Sequence, residues 1–156
     1  MKILITGATG YIGKRLIPIL LNEGHHLICT VRDIARIEHL YDKDENIEFV
    51  ESDFLKANSL SLIPSEIDIA FYLIHSMSNS AKEFHILEER CAFNFKRAIE
   101  KTSVKQVIYL SGITNDTKLS KHLLSRKNVE KTLQSKQYAL TTFKASSSKD
   151  CNRVDF

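Results

Sequence analysis

The stretch TGATGYIG, Thr6 to Gly13, carries three of the five glycines of this 156-residue chain, spaced three residues apart. It follows the apolar run KILIT (Lys2–Thr6), which predicts a buried β-strand, and it leads into a helical pattern that begins at Tyr11. A helix N-terminus presents unpaired backbone N–H groups and a partial positive charge. The stretch therefore predicts a strand-turn-helix corner that binds an anion such as a pyrophosphate.

Each glycine of this corner has a separate expected task. Gly7 allows the sharp turn off the strand, and Gly10 lets a phosphate approach the backbone. Gly13 lets the helix pack closely on the sheet. An ordinary strand-helix turn with chance glycines is the alternative, and the position of the triplet between a strand and a helix argues against it.

Outward from this corner, short apolar runs alternate with amphipathic stretches. Strands are predicted at Lys2–Thr6, His26–Val31, Asn46–Glu51, Asp68–Ile74, Gln106–Leu110 and Tyr138–Lys144. Helices are predicted at Tyr11–Glu23, Ile34–Leu40, Ala57–Ile63, Ser80–Thr102 and Lys121–Ser135. This alternation predicts an α/β fold: a three-layer αβα Rossmann-type, doubly wound parallel sheet of about six strands in the order 3-2-1-4-5-6. We expect one domain over residues 1–145 and a polar, disordered tail over residues 146–156.

Two of the predicted helices have marked apolar faces that are expected to cover the sheet. In the first helix the apolar face comprises Ile12, Leu16, Ile19 and Leu20. In the fourth helix the stripe comprises Phe84, Leu87, Cys91, Phe95 and Ala98, and charges fill the opposite side.

Composition argues against several other classes of protein. The net charge of +3 is too small to indicate a nucleic-acid partner, and no run approaches the ~20 apolar residues of a membrane span. The three cysteines are far apart, with no CxxC and no Cys/His pair at zinc spacing, so no metal site is expected. Buried, unpaired cysteines are typical of a reducing compartment, which predicts a cytoplasmic location.

The glycine corner resembles the nucleotide motif of extended and atypical short-chain dehydrogenases/reductases. The similarity continues in VRD (Val31–Asp33), SDF (Ser52–Phe54), FYLIHSM (Phe71–Met77) and YLSG (Tyr109–Gly112), and it reaches about Ser146. The likeness is greatest to the NmrA-like branch of NAD(P)-binding and epimerase-like proteins. The resemblance implies a dinucleotide cofactor and an unidentified small-molecule substrate.

The resemblance also implies a set of cofactor-binding positions. They are Gly7, Thr9, Gly10, Tyr11, Ile12 and Gly13 around the pyrophosphate, Arg32 at the first ribose, Asp53 and Phe54 at the adenine, and Leu73, Ile74 and His75 near the second ribose and nicotinamide. A guanidinium at Arg32 suits the 2′-phosphate of NADP, while the neighbouring Asp33 keeps NAD possible. Arg32 could instead be a solvated strand-end charge, Asp53 a plain loop acid, and His75 a turn histidine without a role.

The catalytic pattern of the family is altered in this chain. Relatives use a Tyr and a Lys four residues later on one helix, with a Ser after the fifth strand. Here Ser111 could fill the serine role, and His122 and Arg126 occupy the Tyr-x-x-x-Lys spacing on one helix face. This pair is either a variant dyad or an ordinary helix surface in a protein without turnover. The residues offer His122, Ser111 and His75 as proton donors.

The end of the chain is the second departure from the family. Relatives continue past the sixth strand into a substrate-binding region, and we expect that region to be absent here. Four functions stay open: an NADP-dependent oxidoreductase or epimerase-like enzyme, a cofactor-binding redox sensor without turnover, an inactive fragment, and an interaction scaffold. No feature of the sequence indicates a particular substrate or oligomeric state.

Overall fold

The computed structural model describes residues 1–41, 44–75, 84–112 and 121–145. Its six strands are β1 (Lys2–Thr6), β2 (His26–Val31), β3 (Ile47–Glu51), β4 (Ile69–Tyr72), β5 (Gln106–Gly112) and β6 (Ala139–Ala145). Its α-helices are α1 (Tyr11–Asn22), α2 (Phe84–Ile99) and α3 (Lys121–Leu133). The polar tail predicted over residues 146–156 and the first turn predicted for the fourth helix lie outside the described residues.

The six strands form a single parallel sheet in the order β3-β2-β1-β4-β5-β6, so the predicted fold class and strand order are confirmed. The chain adds β2 and β3 on one side of β1 and then crosses to β4 on its other side. This reversal leaves a crevice at the carboxyl ends of β1 and β4, where open α/β sheets bind ligands.

Alternate residues of each strand point to opposite sides of the sheet, so both faces carry apolar side chains. Helices cover both of these faces. On one face Ile3 and Ile5 of β1 belong to a buried cluster with Ile17 of α1. On the other face Tyr72 of β4 belongs to a larger cluster with Phe95 of α2 and with buried residues of α3. Burial on both faces explains why β1 and β2 read as continuous apolar runs.

The segments predicted as helices at residues 34–40 and 57–63 are helical but of the 3₁₀ type, at Ile34–Arg36, Glu38–Leu40 and Ala57–Leu62. The apolar face predicted for α1 was wrong in part. In the predicted face of α1, Ile12 and Ile19 are 42% and 60% exposed and Leu16 and Leu20 are half-buried, whereas Gly13 and Ile17 are buried. Gly13 faces the backbone of Gly7 and Ala8, in the turn after β1.

Candidate functional site

A cleft of about 710 Å³ opens beside the glycine corner at the carboxyl ends of β1, β2, β4 and β5. All twelve positions expected to bind a cofactor line it: Gly7, Thr9, Gly10, Tyr11, Ile12, Gly13, Arg32, Asp53, Phe54, Leu73, Ile74 and His75. The remaining wall is formed by Thr30, Val31, Ser52, Leu55, Leu87, Cys91, Leu110 and Arg126. The structure thus brings the predicted positions together, and their individual roles stay predictions.

Backbone geometry requires glycine at two points of the corner. Gly7 has a φ of +69°, and a Cβ at this position would lie 2.8 Å from the carbonyl oxygen of Leu73. A Cβ at Gly13 would lie 2.5 Å from the carbonyl oxygen of Gly7. The Gly10 N–H donates to the same Gly7 oxygen at 2.9 Å, which closes the turn. The corner is therefore a compact loop of backbone atoms facing the cleft.

Among the described residues, no side chain caps the N-terminus of α1. The cap residue is Gly10, which has no side chain, and the first turn contains no acidic residue. The first intrahelical hydrogen bond runs from the Lys14 N–H to the Gly10 carbonyl, so the N–H groups of Tyr11, Ile12 and Gly13 have no helical acceptor. These three residues line the cleft, and their N–H groups are suited to an anion there.

Thr6 ties the corner to the neighbouring strand. Its Oγ1 donates to the Phe71 carbonyl at 3.0 Å and accepts from the Leu73 N–H at 3.1 Å. The two bonds join the carboxyl ends of β1 and β4, and they hold Leu73 against the Gly7 turn. Sequence reasoning recognised Thr6 only as part of the motif and missed this positioning task.

The charges after β2 are arranged unequally. Arg32 lines the cleft and is exposed. The next residue, Asp33, points its Oδ2 to the Nε of Arg36 at 3.3 Å, forming an exposed ion pair. In the described ranges no carboxylate lies within ion-pair distance of Arg32. A positive charge, rather than an acid, is therefore available at this edge of the cleft.

The loop after β3 is held by hydrogen bonds of Asp53. Its Oδ1 accepts from the Leu55 N–H at 3.0 Å, and its backbone N–H donates to the Ser59 Oγ at 2.9 Å. Phe54 is only 6% exposed and packs against Phe95, with ring centroids 5.8 Å apart. Phe54 is thus mainly a core residue that closes one side of the cleft.

The expected proton-transfer residues are only partly assembled. Ser111 lies within β5 rather than after it, because β5 continues to Gly112 in register with β6. Ser111 is 3% exposed and does not line the cleft, and no described group makes a hydrogen bond of good geometry with its Oγ. Arg126 does line the cleft, and its Nη1 donates to the Leu110 carbonyl at 2.8 Å. The backbone of His122 lies one turn earlier in α3, and its side chain is outside the described part.

The sequence pattern did not single out Glu88, whose carboxylate is buried beside the cleft. Glu88 of α2 is 4% exposed; its Oε1 lies 2.8 Å from the Nδ1 of His75, and its Oε2 accepts from the Ser125 Oγ at 2.5 Å. Glu88 occupies the apolar stripe of α2, since it lies three residues before Cys91 and seven before Phe95. A charged residue at a buried helical position was the signal available in the sequence.

The described cysteines are inert and the described residues offer no metal centre. Burial raises the pKa of Cys29 to about 12 and that of Cys91, which touches the cleft, to about 11. Both thiols are therefore protonated near neutral pH.

Within the described ranges, no three His, Cys, Asp or Glu side chains are grouped to hold a metal ion. In the same ranges, no helix has the length and apolarity of a membrane span.

Comparison with known proteins agrees with this geometry. A family model described as NAD(P)H-binding matches residues 7–150. The auxiliary protein GraX of Staphylococcus aureus is 30% identical over 127 residues, covering 78% of this chain and 40% of GraX. Among solved structures, yeast methylglyoxal/isovaleraldehyde reductase Gre2 complexed with NADPH superposes with a TM-score of 0.74 at 14% identity, over 94% of this chain and 58% of Gre2. Triphenylmethane reductase of Citrobacter sp., complexed with NADP(H), gives 0.77 at 18% identity, over 92% of this chain and 49% of the reductase.

These likenesses cover only part of each known protein. The chain spans 33% to 40% of the length of the first curated relatives it matches, the photosystem II assembly factor Ycf39 of Synechocystis sp. and GraX. The two solved reductases share too little sequence with the chain to indicate more than its fold. The family match is independent of them and extends over most of the described sheet.

Proposed function

We propose that this chain, which belongs to the NAD(P)H-binding family, binds NADPH in preference to NADH and forms the cofactor-binding domain, residues 1–145, of an oxidoreductase or epimerase-like protein. The observation that carries the preference is the charge arrangement after β2. Arg32 faces the cleft without a carboxylate partner among the described residues, while the Asp33 carboxylate is paired with Arg36. NAD-specific sites instead present an acid to the ribose hydroxyls.

The other parts of the cofactor have matching positions along the cleft. The open N-terminus of α1 would receive the pyrophosphate, and Arg32 would clamp the 2′-phosphate with paired N–H donors. The Asp53 carboxylate would accept from the adenine amino group, because its Oδ1 is held by the Leu55 N–H and the loop is fixed. The second ribose would then lie toward Leu73 and His75, at the switch point of the sheet.

Bound at this cleft, a nicotinamide would supply hydride transfer, and the chain would supply orientation and a proton. The solved structures of Gre2 and triphenylmethane reductase contain NADPH and NADP(H), so a fold of this kind holds the proposed cofactor in those two proteins. The substrate is proposed only as a class, a small carbonyl compound or sugar nucleotide.

A redox sensor without turnover is the second candidate. The guanidinium of Arg126 donates to a backbone carbonyl where the family has a catalytic lysine, and an arginine does not lose its proton. Ser111 is buried outside the cleft wall. These two features favour a protein that binds the cofactor and reports its redox state.

Fluorescence titration of the purified chain with NADPH and NADH tests the proposal. We expect NADPH to bind at least about tenfold more tightly, the effect of one additional charge-assisted contact. Equal affinities contradict the NADPH preference, and absence of binding contradicts the proposed function altogether. Consumption of NADPH with a panel of aldehydes, ketones and quinones then separates the reductase from the sensor.

A further inference from the structure

A carboxylate buried beside the cleft has a definite set of partners. Both oxygens of Glu88 have hydrogen-bond partners: Oε1 lies 2.8 Å from the His75 Nδ1, and Oε2 accepts from the Ser125 hydroxyl. Three separate elements meet there, since His75 follows β4, Glu88 belongs to α2 and Ser125 belongs to α3. A carboxylate that is removed from solvent costs folding free energy, so its retention requires such partners.

The contact assigns the roles of the two His75 ring nitrogens. Glu88 accepts from Ser125 at one oxygen, and as a carboxylate it also accepts at the other, so the His75 Nδ1 carries a hydrogen toward it. The other ring nitrogen, Nε2, is the one that does not contact Glu88. In such an arrangement a carboxylate accepts a hydrogen bond from the Nδ1 of a histidine and so orients the ring, and the Nε2 transfers the proton.

We propose that His75 is the proton donor of the site and that Glu88 is its positioning residue; this rests on the proposed binding of NADPH. In the reduction, the substrate carbonyl carbon gains a hydride from NADPH while the carbonyl oxygen takes the proton of the His75 Nε2. The products are the alcohol, NADP⁺ and a neutral imidazole, which regains its proton from water. The reverse reaction uses the neutral Nε2 as the base.

The cleft favours His75 over the other described candidate. His75 lines the cleft beside Leu73 and Ile74, at the edge where the nicotinamide is proposed to lie, and its side chain is 33% exposed. Ser111 is buried and lies outside the cleft wall. The phenol of Tyr109 is also unsuited. Burial raises its pKa, although Arg126 and Ser111 nearby reduce this effect. Its hydroxyl is directed to the Arg126 carbonyl and not to the cleft.

The first test needs no turnover. In NMR spectra of the full chain labelled with ¹⁵N-histidine, we expect the His75 Nδ1 to carry the hydrogen, with the signal assigned by its loss in His75→Gln. Glu88→Gln should shift this signature toward the Nε2–H form, whereas the matched exposed change Glu89→Gln should leave it unchanged. A neutral ring that carries its hydrogen on Nε2 alone in the wild-type chain overturns the assignment. If Glu88→Gln does not fold, Ser125→Ala tests the same network.

The second test locates His75 relative to the cofactor in the wild-type chain. NADP⁺ should shift the His75 resonances, and adenosine 2′,5′-bisphosphate, which lacks the nicotinamide and its ribose, should bind without doing so. Binding of NADP⁺ with an unmoved His75 overturns the inference and leaves the proposed function intact. Failure of both nucleotides to bind contradicts the proposed function instead, so the two failures are distinguished.

Turnover provides the third test. With a carbonyl substrate found in the panel, His75→Gln should lower kcat by about 10²- to 10⁴-fold with a much smaller change in the KM for NADPH. The exposed His39, outside the cleft wall, provides the matched control His39→Gln. Three outcomes overturn the role of His75 as donor. They are an unchanged kcat in His75→Gln, a loss of kcat in His122→Gln alone, and a wild-type chain that binds NADPH without consuming it.

Discussion

The carbonyl oxygen of Gly7 lies 2.5 Å from the position that a Cβ would take at Gly13. The Cα and carbonyl oxygen of Ala8 lie within 2.9 Å of the same point. All three obstacles are backbone atoms, so rotation of a side chain does not relieve the contact. The Gly7–Gly10 loop and the first turn of α1 are therefore packed as closely as glycine allows. The backbone amides at this end of α1 face the cleft.

Gly13→Ala should therefore damage both stability and cofactor binding. The added methyl forces the turn away from α1, which we expect to cost about 1–3 kcal/mol in the free energy of unfolding and to weaken NADPH binding strongly. The control is Gly24→Ala, where φ is +74° and no atom lies within 4 Å. It should cost about 1–2 kcal/mol through backbone strain and leave NADPH affinity unchanged. Wild-type affinity in Gly13→Ala would show that the corner does not hold the pyrophosphate.

Arg32→Gln should weaken NADPH and spare NADH. Loss of a charge-assisted contact with the 2′-phosphate is worth about 1.5–3 kcal/mol, or about 10- to 100-fold in affinity. Arg36→Gln removes an equal charge from the same loop but touches Asp33 instead of the cleft. A comparable loss of NADPH affinity in both variants would indicate general charge attraction and argue against a specific 2′-phosphate contact.

Thr6→Val should loosen the link between β1 and β4. The variant keeps the shape of the buried side chain but leaves the Leu73 N–H without its acceptor, an expected cost of about 1–3 kcal/mol in urea unfolding. Thr30→Val is the control, because Thr30 is also buried and makes one longer bond, 3.4 Å to the Ile5 carbonyl. Equal destabilisation of the two variants would contradict a special role for the Thr6 link.

Stability should fall in alkaline solution because of Cys29. Burial raises the pKa of this thiol to about 12 in the folded chain, whereas an unfolded thiol titrates near ~8.5. The folded state keeps the proton longer, so the contribution is complete below pH ~8.5 and is lost as the pH rises toward 12. Urea midpoints measured from pH 8 to 10.5 should fall less steeply in Cys29→Ala than in the wild-type chain. Parallel slopes would exclude Cys29 as a cause.

Local patterns predicted most of the architecture. Continuous apolar strands, amphipathic helices between them and a glycine corner after β1 are properties of neighbouring residues, and parallel topology follows from their alternation. The predicted cofactor positions also met at one cleft, because the carboxyl ends of parallel strands share an edge of the sheet. Short segments were predicted less well: the 3₁₀ turn Ala57–Leu62 contains too few residues for helical periodicity to be distinctive.

Contacts between distant residues depended on the tertiary structure. Periodicity placed Ile12 and Ile19 inside, but in the structure both are exposed, and the buried residues of α1 are Ile17 and Gly13, which packs against the backbone of the turn. The partners of Glu88 come from a loop 13 residues before it and a helix 37 residues after it, so no local pattern indicates them. The order of elements along a chain specifies which strands are neighbours, whereas close packing decides which side chains meet, because it depends on atomic distances that residue types do not encode.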